Sequence, residues 1–198
     1  MRILIWIAAL LPLLYISFRY SLEFDWVRSI ARFMHESLHL NPGGHPKHMT
    51  RFLLDTTAMT ALNLFIITLA LRPLRDYLKI NMLGYKRLLG LFGFFYLLLH
   101  VTVFIGLKHH WELHDAVFAI THHLFLVFGV LAFLIMLMMT ITSLPFLYKK
   151  LHSWHKLYYL AMVFVMVHFL LAQKSISFEY IVYTAIISAL LALRLLKR

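Results

Sequence analysis

Long apolar runs separated by charge or proline dominate the hydrophobic pattern of this chain. They fall at about 3–19, 56–72, 88–107, 122–143, 157–173 and 178–195. The hydrocarbon core of a bilayer takes about 20 apolar residues of α-helix, and each run comes near that length. The pattern predicts an all-α membrane protein: a six-transmembrane-helix bundle occupying 1–198 as a single transmembrane domain. Its long outer loop, 20–55, carries the turn signal Asn41-Pro42-Gly43-Gly44 after a stretch suited to a helix lying in the membrane interface. The first run begins Met1-Arg2 in the manner of a signal peptide. However, Ser17-Phe18-Arg19-Tyr20 offers no small-residue cleavage site, so the run is expected to be a retained span.

Composition strengthens the membrane reading. Of the 198 residues, 62% are hydrophobic and the mean hydropathy is +0.81, whereas soluble domains are about 45–50% apolar. No room is left for a separate water-soluble catalytic domain. A net charge of +11 would suit nucleic acid in a soluble protein. In a membrane chain it marks cytoplasmic loops facing anionic headgroups, so the expected partner is the lipid bilayer and not nucleic acid.

Six spans put both termini on one side. That side collects Arg2, then Arg72, Arg75, Lys79, Lys86 and Arg87, then Lys149, Lys150 and Lys156, then Arg194, Lys197 and Arg198. The two shorter loops opposite hold only Lys108 and Lys174. Arg19, Arg28, Arg32, Lys47 and Arg51 belong to the long first loop, where the charge rule is weaker. Both termini are therefore expected in the cytoplasm.

The chain has no cysteine, which excludes disulfides, iron–sulfur clusters, thiolate-ligated haem and covalent haem attachment. Thirteen histidines remain as metal ligands. Polar side chains are costly at membrane depth, so His100 and His168, deep in their spans, call for an explanation. His100 follows Arg87 by the same interval as His168 follows His155, and the third and fifth spans run in the same direction. At about 1.5 Å of rise per residue the two imidazoles sit at one depth, toward the outer half of the bilayer. That arrangement suits bis-histidine ligation of a haem, with Gly93, two turns before His100, leaving room for the porphyrin. The alternative is that each histidine hydrogen-bonds across the bundle.

His155 lies about 140° around the helix from His168 and ~20 Å along it, where the third span offers only Arg87. A second haem there lacks an evident histidine partner. The other histidines, His35, His39, His45, His48, His109, His110, His114, His122, His123 and His152, fall in loops or at span ends. Most are expected to be solvated or interfacial. His122 and His123 are placed to meet a haem propionate or a docking partner, and His109, His110 and His114 to hold a surface metal.

Local motifs add a resemblance. Lys86-Arg87-Leu88-Leu89-Gly90-Leu91 leads to His100, and Trp154-His155-Lys156-Leu157-Tyr158-Tyr159-Leu160 leads to His168-Phe169. Ala61-Leu62 precedes Arg72-Pro73-Leu74-Arg75, Thr142-Ser143 closes the fourth run and Lys174 follows the fifth. Over about 56–175 these resemble the MsrQ (YedZ) family, the haem-binding membrane subunits of a periplasmic methionine sulfoxide reductase system. The family belongs to the ferric-reductase-like transmembrane superfamily of six-helix b-type cytochromes.

The resemblance implies a multi-pass protein of the bacterial inner membrane that is an electron-transfer subunit and not the catalytic one. It implies haem b on His100 and His168, His155 as the seat of a second haem, and an association with FMN. Electrons would pass from membrane quinol to a periplasmic molybdoenzyme of the MsrP type. Tyr77, Arg72, Arg75 and Arg87 are the candidates for a quinol site, although anchoring the cytoplasmic face is their plainer role. The chain departs from the family near His122-His123, where Arg-Pro-Tyr is usual, at Arg72, where threonine is usual, and in its long first loop. These are surfaces where a partner or quinone would bind.

Two other functions fit parts of the pattern. One is a ferric-reductase-like metal or oxygen reductase, which would need a separate donor because Gly-x-Gly-x-x-Gly is absent. The other is a histidine-rich metal transporter, which wants acidic residues within spans, yet all eight lie in loops or near span ends.

Overall fold

A computed structural model describes residues 2–21, 49–143, 156–173 and 177–195. Among them there are seven α-helices and no strand. Helix α1 is Arg2–Ser21 and α2 is Met49–Leu78. Helix α3, Lys86–Val103, follows a 3₁₀ turn at Leu83–Tyr85 and runs into a π-helical turn at Phe104–Lys108. Then come α4, Leu113–His122, α5, Leu124–Thr142, α6, Leu157–Leu171, and α7, Phe178–Leu195.

Each of the six predicted runs falls on a helix, and α4 is the addition. Three segments are long and apolar enough to cross a membrane, Met49–Leu78, Leu83–Lys108 and Leu124–Thr142; Ile3–Arg19 and Leu157–Leu171 are shorter apolar helices. Leu4, Leu14, Leu134 and Ile181 are all more than half exposed. That oily exterior belongs in lipid, so the chain is a membrane protein.

Several boundaries differ from the sequence reading, each for a local reason. Residues 49–55, assigned to the outer loop, already belong to α2, where Leu53 is buried. The same helix was expected to stop before Pro73 but continues to Leu78. Proline removes only its own N–H, and a transmembrane helix flanked by partners tolerates that loss. The fourth run was expected to open at His122. Instead His123 is extended, with φ −125° and ψ 108°, so His122 closes α4 and Leu124 opens α5. Most of the loop at 20–55, with its expected interfacial helix, lies outside the described residues.

Helices α2 and α3 pack along one another, as do α5 and α6; α3 touches α5, while α1 and α7 flank α2. The core draws Phe65 and Leu69 from α2, Tyr96 from α3, Met136 from α5, Met162 from α6 and Ile187 from α7. A Cβ on Gly93 would stand 2.7 Å from the Phe65 ring. This corrects the expectation that Gly93 makes room for a porphyrin: it admits the Phe65 side chain, as small residues do where membrane helices approach closely.

Several polar side chains of this interior bond to backbone carbonyls. Thr57, Thr60, Thr68 and Thr140 donate to carbonyls one turn back on their own helices. The Tyr158 hydroxyl crosses from α6 to donate to Phe65 O at 2.6 Å. Tyr96, 0% exposed, reaches α1 just beyond Pro12. Its hydroxyl accepts from Leu13 N at 3.1 Å and donates to Ala9 O at 2.6 Å. Those two groups are the pair that closes one helical turn, so the phenol is spliced into the ladder where the proline opens it.

Replacing Tyr96 by Phe is expected to lower stability by about 1–3 kcal/mol, because two buried backbone groups lose their shared partner. Thermal unfolding in detergent measures the loss, and amide exchange at Leu13 should quicken. An unchanged melting curve and unchanged exchange would show that α1 closes the turn unaided.

Candidate functional site

His100 stands in the last turn of α3 and His168 in the last turn of α6. Both are half-buried, and each is anchored to a different neighbouring helix. His100 Nδ1 lies 3.1 Å from Leu54 O of α2, and His168 Nδ1 lies 2.7 Å from Phe125 O of α5. A backbone carbonyl can only accept, so Nδ1 is the protonated nitrogen in both rings and Nε2 keeps its lone pair. The same bond fixes the orientation of each ring.

The seat of His168 is shaped by α5. A Cβ on Gly129 would fall 2.8 Å from His168 Nδ1 and 2.9 Å from Cε1, so the ring occupies the space that any other residue there would fill. One turn earlier the Phe125 ring lies 5.8 Å from the imidazole, between centroids. His123 in turn lies 5.7 Å from Phe125, at the exposed start of the helix. Sequence reasoning missed Gly129, whose one signal was an isolated glycine in an otherwise apolar helix. It also missed the Leu54 and Phe125 carbonyls, because backbone acceptors carry no signature in residue type.

The third expected haem-associated histidine, His155, lies outside the described residues, as do His35, His39, His45, His48 and His152. His122 Nδ1 bonds Phe118 O at 2.8 Å and its ring stacks on Phe118. Among the described residues no three histidines or carboxylates converge for a metal ion. At the expected surface site, His114 faces Asp115 at 3.4 Å.

At the opposite end of α3 from His100, a cavity of about 550 Å³ opens among α2, α3, α5 and α6. Phe65, Phe94, Met136 and Met139 form apolar walls, and Lys86 and Arg87 line it as cations. Of the four residues considered for a quinol site, Arg87 alone lines this cavity. Arg75 and Arg72 instead reach Asp76, at 2.7 and 4.0 Å.

Among curated proteins the chain is similar to the protein-methionine-sulfoxide reductase heme-binding subunit MsrQ of Brucella ovis, Brucella suis and Brucella abortus. Each is 36% identical over 139 residues, a stretch that makes up 68% of this chain and 63% of the relative. The match thus spans less than two thirds of those relatives' length. No family model and no solved structure matches the chain. With that identity running along two thirds of its length, the chain belongs to the MsrQ family.

Proposed function

We propose that this chain is a b-type haem electron-transfer subunit, with His100 and His168 as axial ligands. It carries electrons from membrane quinol to a periplasmic molybdoenzyme of the MsrP type that reduces methionine sulfoxide in proteins. The observation that carries this reading is the matched pair of Nδ1 anchors, from His100 to Leu54 O and from His168 to Phe125 O. An imidazole held in this way offers Nε2 to iron, and the carbonyl that accepts from Nδ1 fixes the ring and raises its basicity. Apolar helix walls suit the porphyrin edge. The names of the Brucella relatives point to the same cofactor and the same reductase system.

When bound, the haem supplies one-electron exchange at iron. The chain's own residues hold the two imidazoles on separate helices and exclude water. Electron balance is simple: quinol loses two electrons and two protons, the sulfoxide takes up two of each, and its oxygen leaves as water.

The chain is read as one domain of the inner membrane in which α1, α2, α3, α5, α6 and α7 span, as in the ferric-reductase-like bundle, with both termini cytoplasmic. Helix α4 lies along the outer interface, where the exposed Trp111, Leu113 and Val117 suit the headgroup boundary. One haem b sits at His100 and His168, and His155 is the seat of any second.

In a reduced-minus-oxidised visible spectrum the purified protein is expected to show a b-type α band, and His100→Ala and His168→Ala are each expected to lose it. A band that survives either substitution removes that residue from the ligand pair. Gly129→Ala should force the His168 ring off its seat at a cost of about 1–3 kcal/mol, read as weakened haem retention and a shifted midpoint potential. Retention and potential equal to wild type would show that the seat is not needed. Reoxidation of the haem by the molybdoenzyme, but not by ferric chelate or oxygen, is the expected result of mixing. The reverse pattern would favour the metal or oxygen reductase reading.

A further inference from the structure

Past His100 the chain does more than end a helix. Phe104 N–H bonds back to His100 O, so Phe104 stands one turn above the histidine on the same face. Phe104–Lys108 then widens into a π turn, a form whose i→i+5 bonds stack residues five apart. On a regular α-helix five residues turn about 140°, which would part Phe104 from His109. Here their rings lie 4.7 Å apart between centroids. The wide turn thus brings His109 back over the face that carries His100. The next residues are strained: His110 and Trp111 have positive φ, 50° and 65°, a left-handed backbone that bulky side chains rarely adopt. Trp111 N–H donates to Ile105 O at 2.9 Å, and a Cβ on Gly106 would stand 2.9 Å from the Trp111 ring. Strain held in place by such contacts clusters at binding sites.

Within this turn His109 Nε2 is buried without a hydrogen-bond partner, a state that destabilises unless something arrives to bond it. Against the same Phe104 ring lies the Lys108 ammonium, 5.2 Å from the centroid. Lys108 forms no ion pair among the described residues. Two donors therefore flank Phe104 just beyond a proposed iron ligand, and their complement is an anionic oxygen. Of the residues expected to meet a haem propionate, His122 is already bonded to Phe118 O and His123 is exposed.

We propose that Lys108 and His109 bind the propionate carboxylates of the haem, with Lys108 Nζ and His109 Nε2 donating to their oxygens. The inference rests on the electron-carrier reading and adds an anchor to the two axial histidines. Haem b carries both carboxylates on one edge of the macrocycle. An anchor on that edge fixes how the ring is turned about the line through its axial ligands, which ligation alone leaves free. It also keeps the anionic edge at the end of α3, away from hydrocarbon.

The test uses the full chain in nanodiscs, loaded either with haem b or with its dimethyl ester, in which both carboxylates are blocked. The readout is the rate at which the pigment passes to an excess of a haem-scavenging apoprotein. With haem b, His109→Leu and Lys108→Met are each expected to release it at least about tenfold faster than wild type, the effect of losing one charge-assisted hydrogen bond. His109→Gln, which keeps an N–H donor at similar reach, is expected to stay near wild type. With the dimethyl ester, wild type and variants should release alike, which also controls for folding. Equal release of haem b from wild type, His109→Leu and Lys108→Met overturns the proposal. So does a difference that persists with the ester, as when the two residues only shape the turn or bond water. A wild type loaded with haem b that shows no α band removes the electron-carrier reading instead, and this site with it.

Discussion

Two hydrogen bonds from imidazole to backbone carbonyl tie the helices together at one end of this bundle. In hydrocarbon a neutral histidine has no water to satisfy its N–H, and each ring finds a carbonyl on an adjacent helix, Leu54 O for His100 and Phe125 O for His168. Four helices are thereby tied pairwise, α3 to α2 and α6 to α5, along the same seams that carry the closest helix packing. The satisfied nitrogen is the same on both rings, so both leave the same nitrogen free.

The sequence shows the helices well and the contacts poorly. Apolar runs bounded by charge locate all six predicted segments because span length is a property of composition, which a single chain displays. His100 and His168 are legible for a related reason: a polar side chain in a long apolar run stands out, and helical rise fixes its depth. Gly93 and Gly129 show the limit. Both are isolated glycines in apolar helices, and only the packed structure tells that one admits Phe65 and the other His168. Position along a helix gives depth, but the neighbour across the seam depends on how two helices are rotated. Proline misleads in a similar way at Pro73, where the helix continues because tertiary contacts override a local breaker.

The two ends of the bundle differ in how they treat polarity. At the histidine end, side chains bond to carbonyls of other helices. At the Lys86 end, Thr68 and Thr140 fold back onto their own helices while Tyr158 crosses to Phe65 O, and among the described residues Lys86 and Arg87 have no carboxylate partner. The first arrangement holds fixed geometry, while the second leaves donors available to something that arrives.

The phenol of Tyr96 has a consequence for how the chain is made. Its partners, Leu13 and Ala9, lie 83 and 87 residues earlier. Synthesis delivers α1 long before Tyr96 exists, so Leu13 N and Ala9 O gain this partner only when α3 docks. The Tyr96 bridge on α1 is thus acquired late, by assembly and not by insertion. Any truncation that stops short of α3 leaves a first helix in which Leu13 N and Ala9 O lack the phenol that bridges them in the finished bundle.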